Sequence, residues 1–353
     1  MTRVLINARF RHRPITGVER FAIEVSSRIA SNPALEVGEV MPGQALAGLK
    51  SHAWEQFVLP RRIPRDTVLF SPCNTGPLAV RRQLVVIHDA AVWDHPEGFS
   101  ASFGHLYRQL LPRLAKRAAL VATVSEYSRK QLAPRLGLPE EKILVLGNAV
   151  SEAFSPGIET ASIDAPPSLL CVGSMDPRKN LKRLVQAWLD LKAARRLPDK
   201  ATLRLVGGTH PKSFAAFERV EDDSIEWLGR VNDDTLIRLY READAFLYPS
   251  YYEGFGLPPL EAMACGCPIL ISSAASLPEV GGPAFDPGDP QSTGAAIYFD
   301  PFSEADIGNA IVRFFALSAE ARSRLRRNVL ARAGLFSWER VAVSVGGEMA
   351  GLG

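Results

Sequence analysis

The chain has 353 residues, of which 46% are hydrophobic and 22% charged, and its net charge is +3. Those values exclude a disordered polyelectrolyte and leave apolar material for two cores of ordinary size. Four scattered cysteines (Cys73, Cys171, Cys265 and Cys267) are too few for a disulfide framework and point to a reducing compartment. In chain order, residues 4–8 ("VLINA") read as a buried strand and residues 18–29 as the helix after it. Apolar runs at 67–72, 83–89, 120–125 and 143–150 predict further strands, with helical periodicity between them. Continuous apolar strands alternating with helices are the pattern of parallel βαβ units. Residues 151–168 ("SEAFSPGIETASIDAPPS") have the composition of a linker. Beyond it, strands at 168–174, 201–208, 225–229, 244–250 and 267–273 alternate with helices. Helical patterns then cover 304–315 and 319–333, and a last one follows Ser337.

The natural reading is α/β, with two successive doubly wound domains joined near residue 160. Ligands of such sheets sit beyond the C-terminal strand ends, so two facing domains would make a cleft. No stretch near the start has signal-peptide character. The uncharged run 262–278 is broken by Gly266, Pro268 and serines, so it does not read as a membrane span. A cytoplasmic protein is expected. Residues 1–165 carry 20 basic and 15 acidic groups, against 21 and 23 in the remainder. This asymmetry leaves an anionic partner or membrane face open, although solvated surface charge explains most of it. Cys265 and Cys267 form a Cys-Gly-Cys with no nearby His or Cys to complete a metal site, and they read as buried small residues.

Four places could carry chemistry. Gly17, at the start of the first helix, permits close backbone approach to an anion, but the full Gly-x-Gly-x-x-Gly fingerprint is absent there. His88 and Asp89 end an apolar strand, on the ligand side of a parallel sheet. They read equally as a satisfied histidine and a capping aspartate. In "VGSMDPRKN" (172–180), Arg178 and Lys179 stand where the chain leaves a strand and enters a helix. Cations at the positive end of a helix cost stability unless an anion binds there. In "YYEGFGLPPLEAMACGCPIL" (251–270), Glu253 and Glu261 bracket a Gly-Phe-Gly loop and a helix expected to start at Pro258. Leu257 before it is a poor cap, so the start has no side-chain acceptor. The amides of Gly254, Phe255, Gly256 and Leu257 suit a phosphate or sugar hydroxyls, and carboxylates accept from a sugar diol.

The segment 248–270 closely resembles the Glu-x7-Glu signature of the family 4 glycosyltransferases, which have the two-Rossmann GT-B fold. "TGVERFAIEV", "VVIHDAAVWDHPE", "TVSEYSRKQL", "VGSMDPRKNL", "WLGRVNDDTLIRLYREADAFLYPS" and "SLPEVGG" occur in the family's order, and "FSWERVA" resembles its last helix. The resemblance implies an N-terminal acceptor domain (1–165) joined by the C-terminal helix (about 337–353), and a C-terminal donor domain (166–336). It implies that Glu261 holds the ribose of a nucleotide-sugar donor and Glu253 the donor sugar, supported by Phe255 and Gly256. Arg178 and Lys179 would neutralise the diphosphate, and His88 would lie near the transferred sugar. Gly17 and Gly173 would lie close to the diphosphate, and Val231 and Asn232 against the base. Ser174 stands where some members carry Arg.

The implied activity is retaining hexosyl transfer to a hydroxyl of a growing glycan or lipid-linked oligosaccharide, as in lipopolysaccharide or exopolysaccharide assembly. GDP-mannose is the first donor to consider, with dTDP- or UDP-sugars as alternatives. Neither a metal nor a nucleic-acid partner is expected. The basic stretch 107–117 offers a peripheral contact with the inner membrane surface. Two other classes remain for comparison. A Rossmann oxidoreductase should show the glycine fingerprint. A non-catalytic nucleotide-sugar binding protein should lack the groups on the reactive side.

Overall fold

The computed structural model describes residues 1–157, 166–208 and 219–353. The chain divides into two compact units, Met1–Ala149 with Phe336–Gly353, and Val150–Leu335. The helix expected between the second and third strands of the later half falls on residues 209–218. Much of the expected linker falls on 158–165. Both lie outside the described residues.

Unit 1 is built on a six-stranded parallel sheet. Its strands are β1 (Thr2–Asn7), β2 (Leu35–Val40), β3 (Val68–Ser71), β4 (Gln83–Val86), β5 (Leu120–Thr123) and β6 (Ile143–Val145), in the spatial order β2-β1-β3-β4-β5-β6. The central β3 and β4 are buried at every position, which is why they read as unbroken apolar runs. β2 ("LEVGEV") escaped that criterion. It lies at the sheet's edge, where Glu36 and Glu39, exposed on opposite faces of the strand, interrupt the apolar run.

Unit 2 repeats the architecture with β7 (Ser168–Val172), β8 (Thr202–Val206), β9 (Ile225–Gly229), β10 (Ala245–Tyr248), β11 (Ile269–Ser272) and β12 (Ala296–Phe299). Their order, β12-β11-β10-β7-β8-β9, is the doubly wound 3-2-1-4-5-6 arrangement read from the other edge. The strand order reverses between β7 and β10. The edge strand β12 is likewise absent from the strands expected from the sequence.

The helix Trp338–Gly351 belongs to unit 1, although it follows all of unit 2 in sequence. Trp338, Val341, Ala342, Val345 and Met349 form its buried stripe. Trp338 meets Phe21 of the helix Gly17–Ile29 edge to face at 5.9 Å, and Glu339 pairs with Arg28 at 2.7 Å. Gly346 lets this helix approach closely, because a Cβ there would lie 2.7 Å from the Asn32 amide nitrogen. Each large buried side chain contributes about 1.5–3 kcal/mol, so the surface ion pair is a minor partner in this docking.

Inside unit 1, Arg9 and Glu55 form an ion pair at 3.0 Å with both side chains buried. The same carboxylate oxygen accepts from Asn7 Nδ2 (2.8 Å) and Thr75 Oγ1 (3.1 Å), while Arg9 also donates to Thr75 at 2.6 Å. Burial alone would raise the Glu55 pKa. Arg9, with the nearby His52 and hydrogen bonds from Asn7 and Thr75, outweighs it and holds the group below its ordinary value. A lowered folded-state pKa means that this stabilisation is present above the unfolded value of about 4.3 and is lost as pH falls below it. Glu55→Ala should therefore cost about 3–5 kcal/mol at pH 7 by leaving Arg9 buried and uncompensated. In urea denaturation, the gap between variant and wild type should narrow below about pH 4.

Candidate functional site

The loops after β7 and β10 meet at the switch point of unit 2, where doubly wound sheets receive ligands. After β7, Asp176 caps a short 3-10 turn, Pro177–Lys179, by accepting from the Arg178 amide at 2.9 Å. Asn180 follows in the left-handed region (φ 58°), and only then does the helix Leu181–Ala193 begin. Arg178 and Lys179 are therefore not in the first turn of that helix. The helix-dipole argument for an anion does not apply to them, because Pro177 and Asn180 set the turn apart. Each cation instead faces a carboxylate. Arg178 Nη2 lies 2.5 Å from Asp176, and Lys179 Nζ lies 2.6 Å from Glu253. Partial burial works against ionisation of Asp176, but the contacts from Arg178 outweigh it and lower its pKa.

The two loops are tied by hydrogen bonds. The Asn180 amide donates to the carbonyls of Pro249 (3.1 Å) and Pro301 (2.7 Å), and the Tyr251 amide donates to the Arg178 carbonyl (3.0 Å). Beyond β10, one Glu253 oxygen, Oε1, lies within hydrogen-bond range of three donors. These are Lys179 Nζ at 2.6 Å, Tyr248 Oη at 2.8 Å and Ser250 Oγ at 2.7 Å. Lys179 also donates to the Tyr248 hydroxyl at 2.8 Å. Gly173 stands beside this cation, where a Cβ would be 3.3 Å from Lys179 Cγ. Gly207, at the end of β8, comes so close to the Gly173 carbonyl that a Cβ would be 1.7 Å from its oxygen. Ser174 lies between Gly173 and the turn, exposed to solvent.

The loop 253–256 is pinned from beneath by Ser276, whose hydroxyl lies 3.0 and 2.8 Å from the carbonyls of Glu253 and Phe255. The next helix starts one residue earlier than expected, at Leu257, with Gly256 before it at φ 110°. No side chain caps it, as the sequence suggested. One turn on, Glu261 Oε2 accepts from the buried Tyr240 hydroxyl at 3.2 Å. Burial and the adjacent Glu261 push the Tyr240 pKa well up, so the phenol stays a donor. Burial and Glu253 do the same to Tyr248.

Gly173, Arg178, Lys179, Glu253 and the 254–257 backbone thus share one neighbourhood, with Glu261 one helical turn further on. Val231 and Asn232 follow β9. Asn232 is the cap of the helix Asp233–Glu242, its Oδ1 accepting from the Thr235 amide at 2.9 Å. The sequence reading missed Tyr240, Tyr248 and Ser250. Cys265 and Cys267 are free and buried, with thiols pushed up to about 12 by burial. Among the described residues, no group of three or more His, Cys, Asp or Glu side chains could hold a metal ion.

Unit 1 holds the remaining two predicted residues. Gly17 opens the helix Gly17–Ile29 behind a capping box, in which Thr16 and Glu19 satisfy each other's backbone amides. Phe21 of that helix meets the His88 ring edge-on at 5.0 Å. His88 is buried, and its Nε2 lies 2.8 Å from the Pro72 carbonyl. A carbonyl only accepts, so Nε2 carries the proton and Nδ1 presents a lone pair. Burial lowers the His88 pKa, against weaker opposing effects from Pro72, Asp89 and Glu19. Beside these residues is a cavity of about 740 Å³ lined by His12, Thr16, Glu19, His52, Asn74 and Tyr107, among others.

Residues 166–300 match the model of the family described as Glycosyl transferases group 1. An O-antigen chain mannosyltransferase B of Escherichia coli is 31% identical over 65% of this chain and 63% of its own length. The O-antigen chain mannosyltransferase RfbU of Salmonella typhimurium is 31% identical over 67% of this chain and 62% of its own. The chain thus spans under two thirds of the length of either relative. Among solved structures, Anabaena HepE in complex with UDP aligns with TM-score 0.73 at 16% identity, covering 99% of this chain and 100% of that one. Sucrose-phosphate synthase of Thermosynechococcus elongatus aligns with TM-score 0.71 at 19% identity, over 98% and 97%. The fold is GT-B.

Because the folded His88 binds its proton more weakly than the unfolded chain, stability should fall as pH drops below about 6.5. His88→Gln should remove up to about 1.4 kcal/mol per pH unit of that slope. Urea midpoints between pH 7.5 and 5.5 would check this, and equal slopes in both proteins would refute it.

Proposed function

We propose that the protein is a retaining glycosyltransferase that moves a hexose, mannose in the first instance, from a nucleotide-sugar donor to a hydroxyl of a growing glycan or lipid-linked oligosaccharide. The observation that carries this reading is the meeting of Lys179 and Glu253 at the switch point of unit 2, one helical turn from Glu261. The match of residues 166–300 to the glycosyltransferase family model and the names of the relatives support the same class. In this reading unit 2 takes the donor and unit 1 the acceptor, for which the 740 Å³ cavity is a suitable size.

Glu261 grips the ribose and Glu253 the hydroxyls of the donor sugar. Gly173, Ser174 and the amides of Gly254, Phe255, Gly256 and Leu257 surround the donor, with Val231 and Asn232 towards the base. As the bond from the anomeric carbon to phosphate breaks, the carbon gains oxocarbenium character and charge builds on the departing diphosphate. Lys179 has one N–H left after Tyr248 and Glu253, and it meets that charge together with Arg178. On a front-face path, the acceptor oxygen bonds to the anomeric carbon while its proton passes to the leaving phosphate. Neutral His88 accepts a sugar hydroxyl through Nδ1. The two cations supply the charge that a divalent metal supplies elsewhere, so this chemistry needs none.

Membrane contact through residues 107–117 is a finer part of the reading. Leu110, Leu111 and Leu114 are buried, while Arg113, Lys116 and Arg117 stay at the surface, so such contact is electrostatic. Among the described residues no helix is long and apolar enough to cross a membrane.

Thermal midpoints against a panel of GDP-, UDP- and dTDP-sugars test the donor. GDP-mannose should raise the midpoint of the wild type and not that of Glu261→Ala. Stabilisation by NAD alone would overturn the reading. In transfer assays, Lys179→Ala should lower kcat by about 10²–10³-fold, and chelator should leave wild-type activity intact. A trapped covalent glycosyl-enzyme would exclude the front-face path.

A further inference from the structure

Glu253 is an unevenly used carboxylate. Oε1 lies against Lys179, Tyr248 and Ser250, all within 2.8 Å, whereas no described residue donates to Oε2. The phenol is central to this asymmetry. Tyr248 ends β10 and is 1% exposed, with its ring stacked on Phe246 at 5.5 Å. Its hydroxyl accepts from Lys179 Nζ and has a single proton, which it donates to Glu253. The Lys179 ammonium also sits 5.3 Å from the centre of the same ring. Ser250 is a less committed donor. Its one proton has three acceptors in range, the Arg178 carbonyl (2.9 Å), the Tyr252 carbonyl (3.1 Å) and Glu253 Oε1.

We infer that Tyr248 is a positioning residue of the donor-sugar site, its hydroxyl anchoring Oε1 of Glu253 and the Lys179 ammonium so that Oε2 faces the hydroxyls of the transferred sugar. The inference rests on the donor reading above. Three features support it. The phenol comes from a rigid central strand, whereas Glu253 and Lys179 both come from loops, so the strand supplies the fixed point. The hydroxyl bridges the two groups, so it fixes their separation as well as their direction. Its proton stays in place, because burial and the neighbouring carboxylate oppose ionisation of the phenol. Tyr248 touches neither diphosphate nor sugar in this scheme and acts only through its two partners.

Tyr248→Phe keeps the ring, its stacking and its contact with the ammonium, and deletes the bridge. The probes are GDP and GDP-mannose, or whichever nucleotide and nucleotide sugar of the panel bind the wild type. The bare nucleotide diphosphate should bind Tyr248→Phe within about threefold of wild type, since it carries no sugar for Glu253 to hold. The nucleotide sugar should bind about tenfold more weakly, with kcat reduced by a similar factor. Because Tyr248 acts through Glu253, Tyr248→Phe combined with Glu253→Gln should be no worse than Glu253→Gln alone. Wild-type affinity for the sugar donor, equal losses for nucleotide and nucleotide sugar, or multiplying effects in the double variant would each overturn the assignment. If Tyr248→Phe does not fold, Ser250→Ala removes the weaker donor from the same oxygen. It should weaken the sugar donor about threefold while sparing the nucleotide, and no change would count against the anchor. If no nucleotide sugar binds the wild type, the donor reading falls and this inference falls with it.

Discussion

The candidate site of unit 2 is centred on the ion pair between Lys179 and Glu253. Two side chains that are each mostly buried lose hydration, and only a short, well-oriented contact offsets that loss. The contact is available because β7 and β10 are neighbours at the reversal of the sheet, which puts the loops that follow them side by side. The loop geometry serves that approach. Asn180 ties the β7 loop to the carbonyls of Pro249 and Pro301, Gly207 lets β8 close up on Gly173, and Ser276 lies under the carbonyls of Glu253 and Phe255. The site is thus a consequence of sheet order.

The same logic separates what could be read from the sequence from what could not. Central strands such as β3, β4 and β10 are covered on both faces and announce themselves as apolar runs. β2 and β12 are edge strands, and neither is anticipated; in β2 the exposed Glu36 and Glu39 break the run. "DPRKN" reads as a helix start because its cations precede a helical pattern. The decisive local signals were Pro177 after a capping Asp176 and Asn180 in the left-handed region, which close one turn before the helix opens. Spacing alone could not join Lys179 to Glu253, 74 residues apart, and only the family resemblance brought them into one account. Tyr248 was invisible for a different reason. At the end of an apolar strand its ring reads as core, and the value of its hydroxyl appears only when its neighbours are known.

Unit 1 shows a contrasting use of buried charge. The Arg9–Glu55 pair is set among Asn7, Thr75 and Ser51, and it links the end of β1 to the helical segment around residue 55. Its members hold one another and leave His52 at the cavity wall. In unit 2 the donors likewise converge on one carboxylate oxygen, but Glu55 is 0% exposed whereas Glu253 keeps 13% of its side chain open to solvent. The first arrangement fixes a scaffold, and the second is reachable by a ligand.

The late return of the helix Trp338–Gly351 to unit 1 has a consequence for biosynthesis. A ribosome releases β1 to β6 first, yet the stripe that Trp338, Val345 and Met349 will cover stays open until the whole of Val150–Leu335 has been translated. At elongation rates of about 5–20 residues per second, that interval is roughly 10–40 s. Throughout it the nascent first half carries an uncovered apolar groove, a natural client surface for holding chaperones. Its completion is timed by the synthesis of its neighbour.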